Sequence, residues 1–189
     1  MKLPIKILFL IFALQNSYLL KAQTDEDTIP PKTKVWKIET PQALADTVWN
    51  ALIQKTDEQF LSLIPTVESL KETFDSLEIK NNPQIIKIKH NYISFRLKKQ
   101  YKSLKIHARK NDIKLKQSKL NEVKAVEGKD DKGVIYAYIT LNCSKSKKEF
   151  LIKFVALKLY NYWYIADQLK MEMKEENPYY KPQLKKEKK

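Results

Sequence analysis

Glycine is almost missing from this chain: only Gly128 and Gly133 occur in 189 residues. That excludes phosphate-cradling loops, the dinucleotide-binding fingerprint and the nucleophile elbow, because each needs several glycines at fixed spacing. Cys143 is the single cysteine, so no disulfide can form within the chain in any compartment. His90 and His107 are the only histidines and stand seventeen residues apart, which leaves no standard zinc spacing. The sequence thus carries no motif for a metal, a nucleotide or another cofactor.

Long hydrophobic runs are scarce too, apart from the start. There Lys2 and Lys6 precede an apolar run from Ile7 to Ala13, followed by a polar break and Ala22-Gln23. This is the layout of a secretory signal peptide over residues 1–22, too short and too interrupted at Gln15, Asn16 and Ser17 for a membrane span. An uncleaved N-terminal anchor is the alternative. Cleavage would leave an exported chain that is not an integral membrane protein, placed in a periplasm, at a cell surface or outside the cell. The Ala22-Gln23 ending and the Lys-, Ile- and Asn-rich composition resemble exported proteins of the Bacteroidetes.

Residues 23–39 mix acidic residues with Pro30 and Pro31 and read as a tether, and 174–189 read as a charged, disordered tail. Between them, 40–173 suits one domain. Its first half is helical. Thr40-Pro41 is a cap followed by proline at the first helical position, and Thr56 and Gln59 have capping-box spacing. Pro65 stops the second helix and Thr66 caps a third. Asn82-Pro83 opens a longer helix, on which Ile86, His90, Ile93, Leu97, Tyr101, Leu104 and Ala108 step along one face until Asn111 and Asp112. Ile85, Ile88, Tyr92 and Phe95 widen that stripe, so the helix's N-terminal half is expected to be buried more deeply.

The period then changes to two. Strands are expected around Leu120–Glu127, over GVIYAYITLNC and KKEFLIKFVALKLY, and from Tyr162 to Leu169. Short links make them an antiparallel meander. Both faces of the middle strands are apolar. The long helix can cover one; the other needs the short helices, sheet curvature or a second copy in a homodimer. The fold class is therefore α+β, with N-terminal helices including one long helix packed on a curved four-stranded meander.

The final hairpin, with Leu159, Tyr160, Asn161, Trp163, Ile165 and Asp167, resembles the nuclear transport factor 2-like superfamily, the cystatin-like α+β cone that includes SnoaL-like proteins. Tyr162 stands where that family commonly has glycine. The resemblance covers Thr40 to Met173 and implies a cone-shaped pocket between sheet and long helix. It does not imply an enzyme, since members range from isomerases and dehydratases to binding modules.

Two sets of residues carry the candidate chemistry. In the pocket, Tyr136, Tyr138, Tyr162 and Tyr164 are candidate lining residues. There His90 is either a core histidine or a general base oriented by Asp167 or Asp46, in a small-molecule isomerase or hydrolase. Asp167 alternates with Trp163 and Ile165, so it either points inward or sits near a strand end where water or a backbone amide satisfies it. The second set follows from charge. The chain has net charge +14, and residues 1–22 remove three lysines and no acid, leaving +11. From Pro83 to Lys119, ten lysines and two arginines against Asp112 alone also give +11, and the other 21 basic and 21 acidic residues cancel. Arg96, Lys98, Lys99, Lys102, Lys105, Arg109 and Lys110 form a basic helix face, read either as a solvated surface or as a contact for an anionic glycan, a lipid surface or an acidic protein. Export argues against nucleic acid, and the stripe is expected to lack the exposed apolar residues of a membrane-surface helix. The leading expectation is an exported, non-catalytic binding or interaction module.

Overall fold

A computed structural model describes residues 37–54, 57–76 and 82–174. The expected signal segment, most of the tether, Thr56 and the tail beyond Lys174 lie outside the described residues. Among the described residues the fold is α+β, with four α-helices and a 3-10 turn (Leu115–Gln117) followed by a four-stranded antiparallel sheet that is not closed.

Helix α1 (Pro41–Gln54) starts where Thr40 Oγ1 accepts from the Ala43 N–H at 3.1 Å. Pro41 has no N–H to leave unpaired there. Helix α2 (Asp57–Leu61) is little more than a turn that delivers Phe60 onto the Tyr101 ring, with centroids 4.2 Å apart. Helix α3 (Val67–Ser76) has a reciprocal cap: Ser69 N–H donates to Thr66 Oγ1 and Thr66 N–H donates to Ser69 Oγ. Helix α4 (Pro83–Lys110) begins with Asn82 Oδ1 accepting from the Gln84 N–H at 2.9 Å. It ends at Asn111, after which Asp112 takes a left-handed φ of 57°.

The strands β1 (Lys119–Lys129), β2 (Ile135–Lys145), β3 (Lys148–Leu159) and β4 (Tyr162–Met173) lie in sequence order. One face carries Ala137, Ile139, Leu141, Ile152, Phe154, Trp163 and Ile165 into the main core, shared with α1, α2 and the Ile93, Leu97, Tyr101 and Leu104 line of α4. On the opposite face Tyr136, Leu157 and Tyr164 form one transverse row, and Tyr138, Val155 and Asp167 form the next. Helix α3 packs on β3 at this second face and sets the Ser69 hydroxyl against the Tyr164 phenol. A short helix thus supplies part of the second cover that two apolar faces require. Gly128 lets the Tyr136 ring lie close over β1: a Cβ there would fall 2.6 Å from the ring, which would have to shift.

The two sheet edges are treated differently. On β4, Trp163 N–H donates to the Ile38 carbonyl at 2.7 Å, Ile165 N–H to the Leu63 carbonyl at 2.9 Å, and Leu169 N–H to Gln100 Oε1 at 2.9 Å. Loop backbone and one helix side chain thus occupy this edge. On β1, an irregularity between Leu120 and Glu122 and the exposed Lys119, Glu122, Lys124, Glu127 and Lys129 blunt the edge by shape and charge. Lys174, expected to open the tail, is instead 7% exposed, with its ammonium on Glu149.

Candidate functional site

Asp167 does not share a face with Ile165. The β3–β4 register shifts around Val155, and Gln168 adopts a φ of 58°. Ile165 therefore lies opposite Ala156 and Asp167 opposite Val155, so the irregularity moves the carboxylate off the Trp163 and Ile165 face. Strict alternation, on which the inward placement rests, fails at an inserted residue. At its actual position Asp167 forms an ion pair with Arg96, Nη2 to Oδ1 2.8 Å, and accepts from Gln100 Nε2 at 2.9 Å and from the Gln168 N–H at 2.7 Å. A partly buried carboxylate held by one ion pair and two hydrogen bonds is a structural tie between β4 and α4.

His90 is not brought to Asp167. Its ring is half-buried, with Nδ1 3.4 Å from Asn91 Oδ1 on the same helix. Among the described residues no carboxylate is within hydrogen-bond reach of it. Asp46 is exposed on α1. The two halves of the expected acid–base pair are thus held by different neighbours.

The candidate lining tyrosines share the second face of the sheet. Tyr164 is 4% exposed beside α3, and burial raises its phenol above the ordinary range. Tyr162 is half-buried, and Tyr136 and Tyr138 meet edge to face with centroids 5.5 Å apart. A groove of about 390 Å³ lies elsewhere, between α4 and β4, lined by Gln100, Ser103, Leu104, His107 and Gln168 to Met171. None of the four tyrosines borders it. His107 turns toward this groove, and its Nε2 is buried without a hydrogen-bond partner. Among the described residues no three His, Cys, Asp or Glu side chains are grouped so as to hold a metal.

The basic residues of α4 separate into two groups. Arg96 spans Asp167 and the Tyr92 ring, 5.4 Å from its centroid. Lys105 donates to Asp57 Oδ1 at 2.7 Å and lies 4.0 Å from the Tyr101 ring centroid. Burial works against the Lys105 charge, but the Asp57 hydrogen bond and neighbouring groups outweigh it and raise its pKa. The same hydrogen bond lowers that of Asp57. Arg96 thus helps tie α4 to β4, and Lys105 ties α4 to α2. Lys98, Lys99, Lys102, Arg109 and Lys110 are exposed, and no Asp or Glu occurs anywhere on α4.

The apolar residues of the same helix overturn two expectations. Ile85, Ile88, Tyr92 and Phe95 are 46%, 64%, 40% and 67% exposed, so the N-terminal half is not sunk more deeply. Nor does the helix's outer surface lack large apolar side chains. On a helical projection at 100° per residue these four center nearly opposite the buried Ile86, Ile93, Leu97, Tyr101 and Leu104 line. An apolar residue count sees one wide stripe; the angular separation shows two. The helix has one sheet to pack on and the second stripe meets solvent. Comparison with protein-family models, curated proteins and solved structures finds no match to this chain.

Proposed function

We propose that this protein is an exported, non-catalytic binding or interaction module, acting in a periplasm or at a cell surface, and that α4 is its contact for an anionic partner or surface. The observation that carries the reading is electrostatic. Nine cationic and no anionic side chains lie on α4, and Lys98, Lys99, Lys102, Arg109 and Lys110 remain exposed after Arg96 and Lys105 are taken up by carboxylates. A field of one sign on a single face raises the local concentration and association rate of polyanions. Export rests on the Lys2 to Gln23 segment, and no described helix is long and apolar enough to cross a membrane.

The proposal includes membership of the nuclear transport factor 2-like group and its cone. Supporting it are the order of helices before an antiparallel meander and the final hairpin with Trp163 and Ile165 in the core. The test is titration of the purified chain with dextran sulfate in rising salt. Binding is expected to weaken steeply as counterions screen the face, and to fall with charge reversal at Lys98, Lys99 and Lys102. Lys105 is excluded from that variant because its ion pair with Asp57 contributes to the fold. Binding that ignores salt, or survives the triple reversal, would refute the reading.

A further inference from the structure

Resting on that reading of the basic face, we propose that α4 docks on an anionic lipid bilayer by lowering the Ile85, Ile88, Tyr92 and Phe95 seam into the headgroup region. The lysines of the helix's second half then lie on the lipid phosphates. Three observations converge on this occupant.

The first is exposure. Four large apolar side chains spaced by three and four residues sit 40% to 67% exposed along about 15 Å of helix. They form a contiguous apolar strip on a chain whose charged residues are otherwise balanced. The second is their order. The line through Ile85, Ile88, Tyr92 and Phe95 continues through Lys99, Lys102 and Ile106, so apolar character gives way to cationic character along one helical line. A tilted helix presents such a line to a bilayer with its apolar half at the acyl boundary and its ammonium groups among the headgroups. Lysine stems can reach there while their charges stay wet. The third is charge. Two copies of α4 meeting through this seam would set cations against cations with no acid on either helix, which disfavors a second copy as occupant. An anionic bilayer supplies both apolar depth and negative charge at every point of the contact, and needs no matching side-chain register. The depth is interfacial and not spanning, since no described helix can cross a membrane.

The test uses the exported chain, residues 23–189 without the apolar Ile7–Ala13 run, with vesicles of phosphatidylcholine alone and of phosphatidylcholine containing phosphatidylglycerol, alongside dextran sulfate as a soluble polyanion. The wild type is expected to cosediment with the phosphatidylglycerol vesicles and not with neutral ones. The double variant Ile88→Ser, Phe95→Ser removes exposed groups and should fold normally, as circular dichroism would check. It is expected to lose vesicle binding about tenfold or more while keeping dextran sulfate binding, and Phe95→Leu should restore most of it. If the double variant binds vesicles as tightly as the wild type, the contact is purely electrostatic and the seam proposal falls while the basic-face reading stands. If the wild type binds dextran sulfate but no vesicle, the lipid assignment falls alone. If it binds neither, both fall. Self-association without lipid that the double variant abolishes would make the seam a protein interface and overturn the proposal.

Discussion

Replacing Gln100 with leucine removes the one side chain that satisfies both partners at the β4 irregularity. In the native fold Gln100 Oε1 accepts from the Leu169 N–H and Gln100 Nε2 donates to Asp167, each at 2.9 Å. Leu169 is 3% exposed, so its freed amide has little access to water, at a cost of about 1–3 kcal/mol. Asp167 keeps Arg96 and the Gln168 N–H, so its loss is one neutral donor, about 0.5–1 kcal/mol. Gln100 is only half-buried and borders the groove, which lets water compensate in part. The expected destabilization is therefore about 2–3 kcal/mol. For a domain of this size that lowers Tm by about 7–11 °C. Urea denaturation should show a lower midpoint with an unchanged slope. A change below about 0.5 kcal/mol would show that the α4–β4 tie does not carry the strand irregularity, and would refute the reasoning.

Three further outcomes follow from local chemistry. Burial pushes the Cys143 thiol up to about 12, with the nearby Lys174 charge offsetting only part of this. In native buffer the thiol should resist a disulfide reagent and react once urea unfolds the chain; rapid native labeling would contradict its burial. Burial raises the Glu172 carboxyl, but hydrogen bonds from Lys153 and Lys170 outweigh it and hold it below the ordinary range. A depressed carboxyl stabilizes the fold above its unfolded pKa and loses that contribution as pH falls through the folded pKa. Glu172→Gln should therefore cost about 0.5–1.5 kcal/mol near neutrality, with the gap from wild type closing in acid; a gap constant with pH would contradict the linkage. Tyr160 turns the β3–β4 hairpin with a φ of 56° while 60% exposed. Tyr160→Gly should hold or raise stability by up to about 1 kcal/mol by calorimetry, and a loss would show that the ring packs where exposure says it does not.

Much of the backbone was legible because its signals are local. Thr40, Thr66 and Asn82 stand at helix starts because a short oxygen-bearing side chain there can take an otherwise unpaired helix amide, and each does so. The period of two from Val134 to Leu141 predicts strand because apolar side chains there must face two covers. What was not legible depends on partners far away in sequence. The inserted residue near Gln168 answers to Gln100 and Arg96 across the fold, so alternation alone put Asp167 on the wrong face. Ile88 and Phe95 carry the same hydrophobicity as Ile93 and Leu97. Only their angular offset on the helix hinted that one sheet could not cover them all, and that offset was the available signal for the exposed seam. His107 offered less: among basic neighbors nothing local shows that its ring turns toward the α4–β4 groove.

The outer face of α4 as the contact surface is tested most directly by amine acetylation of the exported chain, residues 23–189, with and without phosphatidylglycerol-containing vesicles, read residue by residue by mass spectrometry. Lys98, Lys99 and Lys102 are exposed on α4, while Lys119, Lys124 and Lys129 are exposed on β1 and serve as internal controls. The account predicts that the α4 lysines become protected when the vesicles are added and that the β1 lysines do not. Uniform protection of both sets, or protection of β1 alone, would contradict it.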